Sequence, residues 1–145
     1  MKGSCLCGNV EYEIDPPLKI FQYCHCSRCQ KFTGAIHSAN LFVPPAQFRW
    51  LKGVEQVGTY DLPEAKYLTT AFCKNCGSSL PFRVKGGSNV VVPAGTLDED
   101  PDIRPQQNIY WGSRAAWCVE TSELPKHDET PPRKNPGRKP VAPEL

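Results

Sequence analysis

Apolar and polar residues alternate along much of this chain with the two-residue period of strands, not the longer period of helices. The stretch 9–14, Asn9-Val10-Glu11-Tyr12-Glu13-Ile14, shows it most clearly. Val10, Tyr12 and Ile14 fall on one face and Asn9, Glu11 and Glu13 on the other, as a half-buried strand requires. Further strands are expected at 18–24, 35–42, 48–51, 56–62, 67–72, 79–84, 89–92 and 108–111. Turn signals separate them: Asp15-Pro16-Pro17, Pro44-Pro45, Lys52-Gly53, Leu62-Pro63, Gly86-Gly87 and the stretch 98–105. One short helical turn is expected over 28–32, with Ser27 as its N-cap and Gly34 ending it. Short strands at this spacing point to a mainly β, single-domain fold of sandwich or barrel-like sheets.

Composition adds three constraints. A chain of 145 residues accommodates one domain and a short appendage. Its 15 prolines argue against long helices, since each removes a backbone donor and crowds the preceding turn. A net charge of +2 gives no global attraction to nucleic acid or an anionic membrane. The charge is uneven, however. Residues 131–145 hold five prolines and four basic residues against the single acid Glu144. This stretch reads as an extended or disordered basic tail on a domain spanning 1–130. Without interleaved aromatics it is a weak nucleic-acid footprint, although a basic tail keeps an acidic partner open.

The stretch 32–48 is free of charged residues, yet Thr33, Gly34, His37, Asn40 and Pro44-Pro45 make it too polar and broken to span a bilayer. Met1-Lys2-Gly3-Ser4-Cys5 lacks the apolar core of a targeting leader. The expected compartment is therefore the reducing cytoplasm, where eight cysteines point to metal or redox chemistry before disulfides.

Seven of the eight cysteines fall into three motifs: Cys5-Leu6-Cys7, Cys24-His25-Cys26-Ser27-Arg28-Cys29, and Cys73-Lys74-Asn75-Cys76. The third, followed by Gly77, reads as half of a zinc knuckle. A structural zinc takes four ligands, and Cys5 and Cys7, on one face if that segment is extended, supply the other half. Cys24, Cys26 and Cys29 are then left one ligand short of a closed site. An open position is where an exogenous ligand binds and reacts. Water, a substrate thiol or His25 are the candidates for it. His25 is disfavoured, because between Cys24 and Cys26 on an extended segment it points away from them. Arg28 and Lys31 would offset the negative charge of the sulfurs. Spacing alone leaves other partnerships open, as it does a metal-free reduced or disulfide-bonded trio. Cys118 reads as a small buried hydrophobe, His37 as a polar strand residue and His127 as a loop residue.

In their order along the chain, three segments resemble the glutathione-dependent formaldehyde-activating enzyme (GFA) / centromere protein V domain family. They are Gly3-Ser4-Cys5-Leu6-Cys7-Gly8, the run from Cys24 through Cys29 to Gln30-Lys31-Phe32-Thr33-Gly34-Ala35, and Phe72-Cys73-Lys74-Asn75-Cys76-Gly77-Ser78. Ala94-Gly95-Thr96-Leu97-Asp98 and Ala116-Trp117 look like the family's downstream pattern, so the resemblance extends over about residues 3–128. It implies a β-tent zinc fold related to methionine sulfoxide reductase B. It also implies two Zn2+ per chain: a structural ion on Cys5, Cys7, Cys73 and Cys76, and a second, at the active site, on Cys24, Cys26 and Cys29. The implied activity is that of a carbon–sulfur lyase on a small thiol adduct, glutathione combining with formaldehyde to S-hydroxymethylglutathione. A zinc-stabilised binding or scaffold module and a thiol redox or metal-buffering protein are the alternatives.

Overall fold

A computed structural model describes residues 1–119 and 121–131. The tail expected over 131–145 therefore lies outside the described residues except for Pro131. The rest is mainly β, in three sheets. The first joins β1 (Lys2–Ser4), β2 (Glu11–Ile14) and β5 (Phe48–Lys52) in the order β1-β2-β5. The second contains β3 (Ile20–Cys24), β4 (Ser38–Val43), β9 (Phe82–Arg83), β10 (Val90–Pro93) and β11 (Gln107–Ile109), ordered β11-β3-β4-β10-β9. The third pairs β6 (Val57–Asp61), β7 (Thr69–Cys73) and β8 (Ser79–Leu80). One α-helix, α1 (Ser27–Thr33), follows β3. All strand pairs within these sheets are antiparallel except β11 with β3.

Alternation places the core. Tyr12 and Ile14 of β2 are buried and Glu11 and Glu13 are not, matching the two-residue period. They pack with Phe21, Leu41, Val43, Val90 and Val92 between the first and second sheets. The Tyr12 hydroxyl, buried at the end of this cluster, forms a 2.6 Å hydrogen bond with Thr96 Oγ1. Opposite Tyr12 on β1 stands Gly3, where a Cβ would collide with the Tyr12 ring and lie 2.6 Å from the Thr96 carbonyl oxygen. A smaller cluster of Cys5, Val10, Ala71, Cys73 and Leu80 joins the first sheet to the third.

The second sheet is covered on both faces. Antiparallel register sets Phe21 opposite Leu41 and Tyr23 opposite Ala39 on its core face. On the other face Cys24 stands opposite Ser38, Gln22 opposite Asn40, and Val91 opposite Phe42. Three successive buried valines in β10 record the same two-sided cover.

Four local expectations change. Strand 79–84 is two short strands, because Pro81 has no N–H for a ladder at its centre. The strand expected from residue 35 starts at Ser38, leaving His37 in the preceding bend and not in the strand. Helix α1 is capped by Cys26, not Ser27: the Cys26 side chain accepts the Cys29 N–H. β1 was not anticipated, since three residues including a glycine carry no readable period; pairing with β2 alone makes them a strand.

Because the odd positions of β4 serve only the core, Leu41→Ala should cost about 2–5 kcal/mol. Urea unfolding checks this, and metal content should be retained.

Candidate metal centres and the adjoining cavity

The Cys5–Cys7 segment is a tight turn, not the extended segment assumed from the sequence. The Gly8 N–H donates to the Cys5 carbonyl at 2.9 Å and the Cys5 N–H to the Val10 carbonyl at 3.0 Å. The Cys73–Cys76 segment repeats the device, with the Gly77 N–H donating to the Cys73 carbonyl at 2.8 Å. Each turn ends on a left-handed glycine, Gly8 at φ 71° and Gly77 at φ 73°, a conformation that side-chain-bearing residues rarely adopt.

The two turns meet. The sulfurs of Cys5, Cys7, Cys73 and Cys76 all lie within 4.8 Å of one another. Cys5 and Cys7 sulfurs are 3.5 Å apart, and Cys7 and Cys73 sulfurs 3.9 Å. Four sulfurs at about 2.3 Å around a tetrahedral zinc stand about 3.8 Å from each other, so this donor set fits such an ion. Ser78 joins the two halves: its hydroxyl oxygen accepts the Leu6 N–H at 3.0 Å and lies 3.2 Å from the Cys76 sulfur.

Protonation within the set follows these bonds. Hydrogen bonds from the Ser78 hydroxyl and backbone lower the Cys76 thiol to about 6. Burial raises Cys5, but the Val10 N–H and the sulfurs of Cys7 and Cys73 more than offset it and leave it below its usual value. For Cys73 the Cys76 N–H pulls downward, yet burial and hydrogen bonds with neighbouring thiols win and push it up to about 11.

Cys24, Cys26 and Cys29 form the second set, their sulfurs also within 4.8 Å of one another. Cys24 ends β3, Cys26 caps α1, and Cys29 sits in its first turn, giving its N–H to the Cys26 sulfur at 3.4 Å. A hydrogen bond from the Cys29 thiol lowers Cys24 to about 6 despite burial. The same bond, with burial, raises Cys29. No fourth Cys, His, Asp or Glu joins the trio among the described residues. His25 is buried on the opposite side, its backbone N–H donating to the Ile109 carbonyl at 3.0 Å and its ring Nε2 2.9 Å from Asn108 Oδ1. Its ring packs edge-on against Trp111 and His37. Both clusters can hold a metal ion; the first presents a closed donor set and the second an incomplete one.

The trio lines a cavity of about 490 Å³ on the outer face of the second sheet. Phe42, Val91 and Ile109 form apolar wall, and Asn40 lines it beside them. Tyr67 and Tyr110, both more than half exposed, stand on its border. Tyr110 holds a left-handed backbone at φ 55°, strain of the kind that collects at functional sites. Arg28 and Lys66 bring positive charge. Lys31, expected with Arg28 to offset the charge of the sulfurs, does not line this cavity but a neighbouring groove that Arg28 shares. Lys66 had no sequence signal, lying in a bend seven residues before Cys73 and outside all three motifs. A larger hollow of about 680 Å³ beside Phe48 and Trp50 contains no cysteine.

The remaining candidates separate from both clusters. Cys118 is half-buried in a turn and not a core residue, beside a Trp117 that is 67% exposed. His37 stacks on Tyr23 with ring centres 4.1 Å apart. His127 lies in an exposed loop.

A mainly β fold with one closed and one incomplete cysteine cluster, each able to hold a metal ion, defines the class of protein, and comparison narrows it. The sequence profile described as glutathione-dependent formaldehyde-activating enzyme matches residues 1–113. The chain belongs to this family. A crystal structure of a Rhodobacter sphaeroides protein aligns with a TM-score of 0.59 at 21% identity, covering 74% of this chain and 99% of that one, and shows a shared fold. No helix of the described residues is long and apolar enough to cross a membrane.

Purified without added metal, the chain should carry two metal equivalents by elemental analysis. Cys29→Ser should leave one, with little change in Tm. Cys76→Ser should lower Tm by about 10 °C or more, because a four-sulfur site that the unfolded chain lacks makes metal binding part of the folding free energy.

Proposed function

We propose that the protein is a zinc-dependent carbon–sulfur lyase of the reducing cytoplasm that interconverts glutathione plus formaldehyde with S-hydroxymethylglutathione. Family membership supports glutathione-dependent formaldehyde activation. The observation that carries the reading is the incomplete trio of Cys24, Cys26 and Cys29 opening onto a cavity large enough for a tripeptide thiol. In the forward direction the thiol sulfur forms a bond to the aldehyde carbon, the carbonyl π bond breaks, and the thiol proton ends on the new hydroxyl.

Zinc held by the trio would supply Lewis acidity and lower the pKa of a thiol offered as its fourth ligand. The chain's own residues supply binding and enclosure. Arg28 and Lys66 suit the two carboxylates of glutathione, Arg28 through its planar fork and Lys66 as a point charge. Lys66 Nζ stands 5.1 Å from the centre of the Tyr67 ring, a cation–π contact that holds the charge at the cavity border. Phe42, Phe82 and Val91 exclude water from the reacting atoms. In this reading Cys5, Cys7, Cys73 and Cys76 hold a structural zinc and take no part in turnover. The scaffold alternative rests on the tail, outside the described residues.

Glutathione and formaldehyde combine unaided, so the test is a rate above background, read by NMR exchange at equilibrium. The wild-type chain should accelerate exchange, and Cys26→Ser should abolish the acceleration; a wild-type rate equal to background sinks the reading. Arg28→Ala and Lys66→Ala should each raise KM for glutathione about tenfold with kcat nearly kept, the loss of about one charge-assisted hydrogen bond.

A further inference from the structure

The cavity face of the second sheet carries a polar pair that neither metal centre uses. Ser38 and Asn40 lie two residues apart on β4, pointing to the same side as Cys24. They are 5% and 7% exposed, in a position where apolar residues would be expected. The Ser38 hydroxyl donates to Asn40 Oδ1 at 2.5 Å. That bond fixes the carboxamide and commits its oxygen. Asn40 Nδ2 makes no hydrogen bond to another described residue, although Asn40 lines the cavity. The other polar side chain on this face, Gln22 opposite Asn40, is engaged elsewhere, accepting from Gln107 Nε2 at 2.8 Å. Nor is the amide nitrogen a sealed orphan: the sealed orphans among the described residues are Nδ1 of His25 and His37.

This donor is oriented by a second buried group and is free to meet a ligand in the cavity that the three sulfurs also line. We infer that Asn40 is a catalytic hydrogen-bond donor for the oxygen of the carbon adduct, with Ser38 as its positioning residue. The inference rests on the lyase reading and adds to it the group that recognises oxygen. As the sulfur–carbon bond forms, the carbonyl π pair moves onto oxygen, and Asn40 Nδ2–H donates to it there. In the reverse direction the same bond steadies that oxygen as the carbon–sulfur bond breaks. A donor already held in place does not reorganise during reaction, which is where such groups contribute most. The site therefore selects adducts bearing an oxygen on the carbon next to sulfur, and a simple S-alkyl thioether leaves the amide unpaired.

Two measurements test this. In the first, Asn40→Leu and Asn40→Asp, checked for unchanged near-UV circular dichroism and metal content, should each lose about 10²–10³ in kcat, the usual cost of one oxyanion donor. KM for glutathione should stay within about twofold, which a general packing defect would not produce. Ser38→Ala should lose less, since the donor remains but is no longer held. A kcat for Asn40→Leu within about threefold of wild type overturns the inference while leaving the lyase reading intact. The second uses the unaltered chain, labelled with 15N, and so needs no variant to fold. The Asn40 side-chain amide signals should shift on adding glutathione with formaldehyde and stay in place with S-methylglutathione. Equal responses to both ligands, or to neither, overturn it. Should the wild type show no rate above background, the lyase reading fails, and these amide signals still decide whether Asn40 recognises oxygen.

Discussion

The meeting of two glycine-ended turns at four sulfurs is the constraint on which the rest of the molecule depends. Cys7 and Cys73 are 66 residues apart in sequence, and their sulfurs are 3.9 Å apart. Between them the chain builds β2 and β5 of the first sheet, β3 and β4 of the second, and β6 of the third. Closing so long a loop carries an entropic cost that grows only slowly with length, so a strong local bond recovers it efficiently. The apolar cluster beneath is too small to do this alone: two of its five buried members, Cys5 and Cys73, are themselves proposed ligands. A metal bound to the four sulfurs would therefore make its binding and the docking of the third sheet one event. The Ser78 hydroxyl makes the coupling specific, because it contacts the backbone of one turn and a sulfur of the other.

The second sheet converts this rigidity into a site. β4 gives Ala39, Leu41 and Val43 to the core and Ser38, Asn40 and Phe42 to the opposite face. β3 divides in the same way, with Phe21 inward and Cys24 outward. A slip of one residue would exchange the two sets, burying Asn40 among apolar side chains and exposing Leu41. The packing that fixes register is thus also what aims the polar residues at the cavity. β11 completes the wall: it pairs parallel to β3, and Gln30 Nε2 donates to the carbonyls of His25 at 2.6 Å and Ser113 at 3.0 Å. That clamp holds the segment carrying Tyr110 and Ser113 against the trio.

What could be read from the sequence follows from how local each cause is. The alternation of Val10, Tyr12 and Ile14 reports burial directly, and the structure places all three in the core. The mainly β character and the two cysteine groupings are legible for the same reason, because spacing and chemistry reside in short segments. β1 was not legible, since its pairing is imposed by β2. Cys5-Leu6-Cys7 was grouped with Cys73 and Cys76 on the wrong local geometry: a turn, not a strand, brings its sulfurs together. Asn40 and the Ser38 bond that orients it had no motif, because their meaning comes from register between distant strands, and Lys66 reaches the cavity from a bend outside any strand. His25 is the intermediate case. Alternation correctly implied that it faces away from its flanking cysteines, but nothing local indicated Asn108 as its partner.

Cys26 shows how the second cluster can be incomplete without being loose. Its sulfur takes the place that Ser27 was expected to fill, capping α1 by accepting the Cys29 N–H. A thiolate accepts such a bond more strongly than a thiol, so a metal that deprotonates Cys26 also strengthens the cap. The helix in turn places Cys29 one turn from Cys26, and β3 delivers Cys24 from the sheet. Three candidate ligands thus come from a strand end, a cap and a first helical turn, each held by backbone bonds that need no metal. The ring of His25, the one side chain near enough in sequence to close the set, is turned away from the trio, with Nε2 2.9 Å from Asn108 Oδ1 and its backbone N–H donating to the Ile109 carbonyl. A metal held by this trio would keep a position open, because the competing side chain faces the other way, and that is what a site admitting and releasing an outside thiol requires.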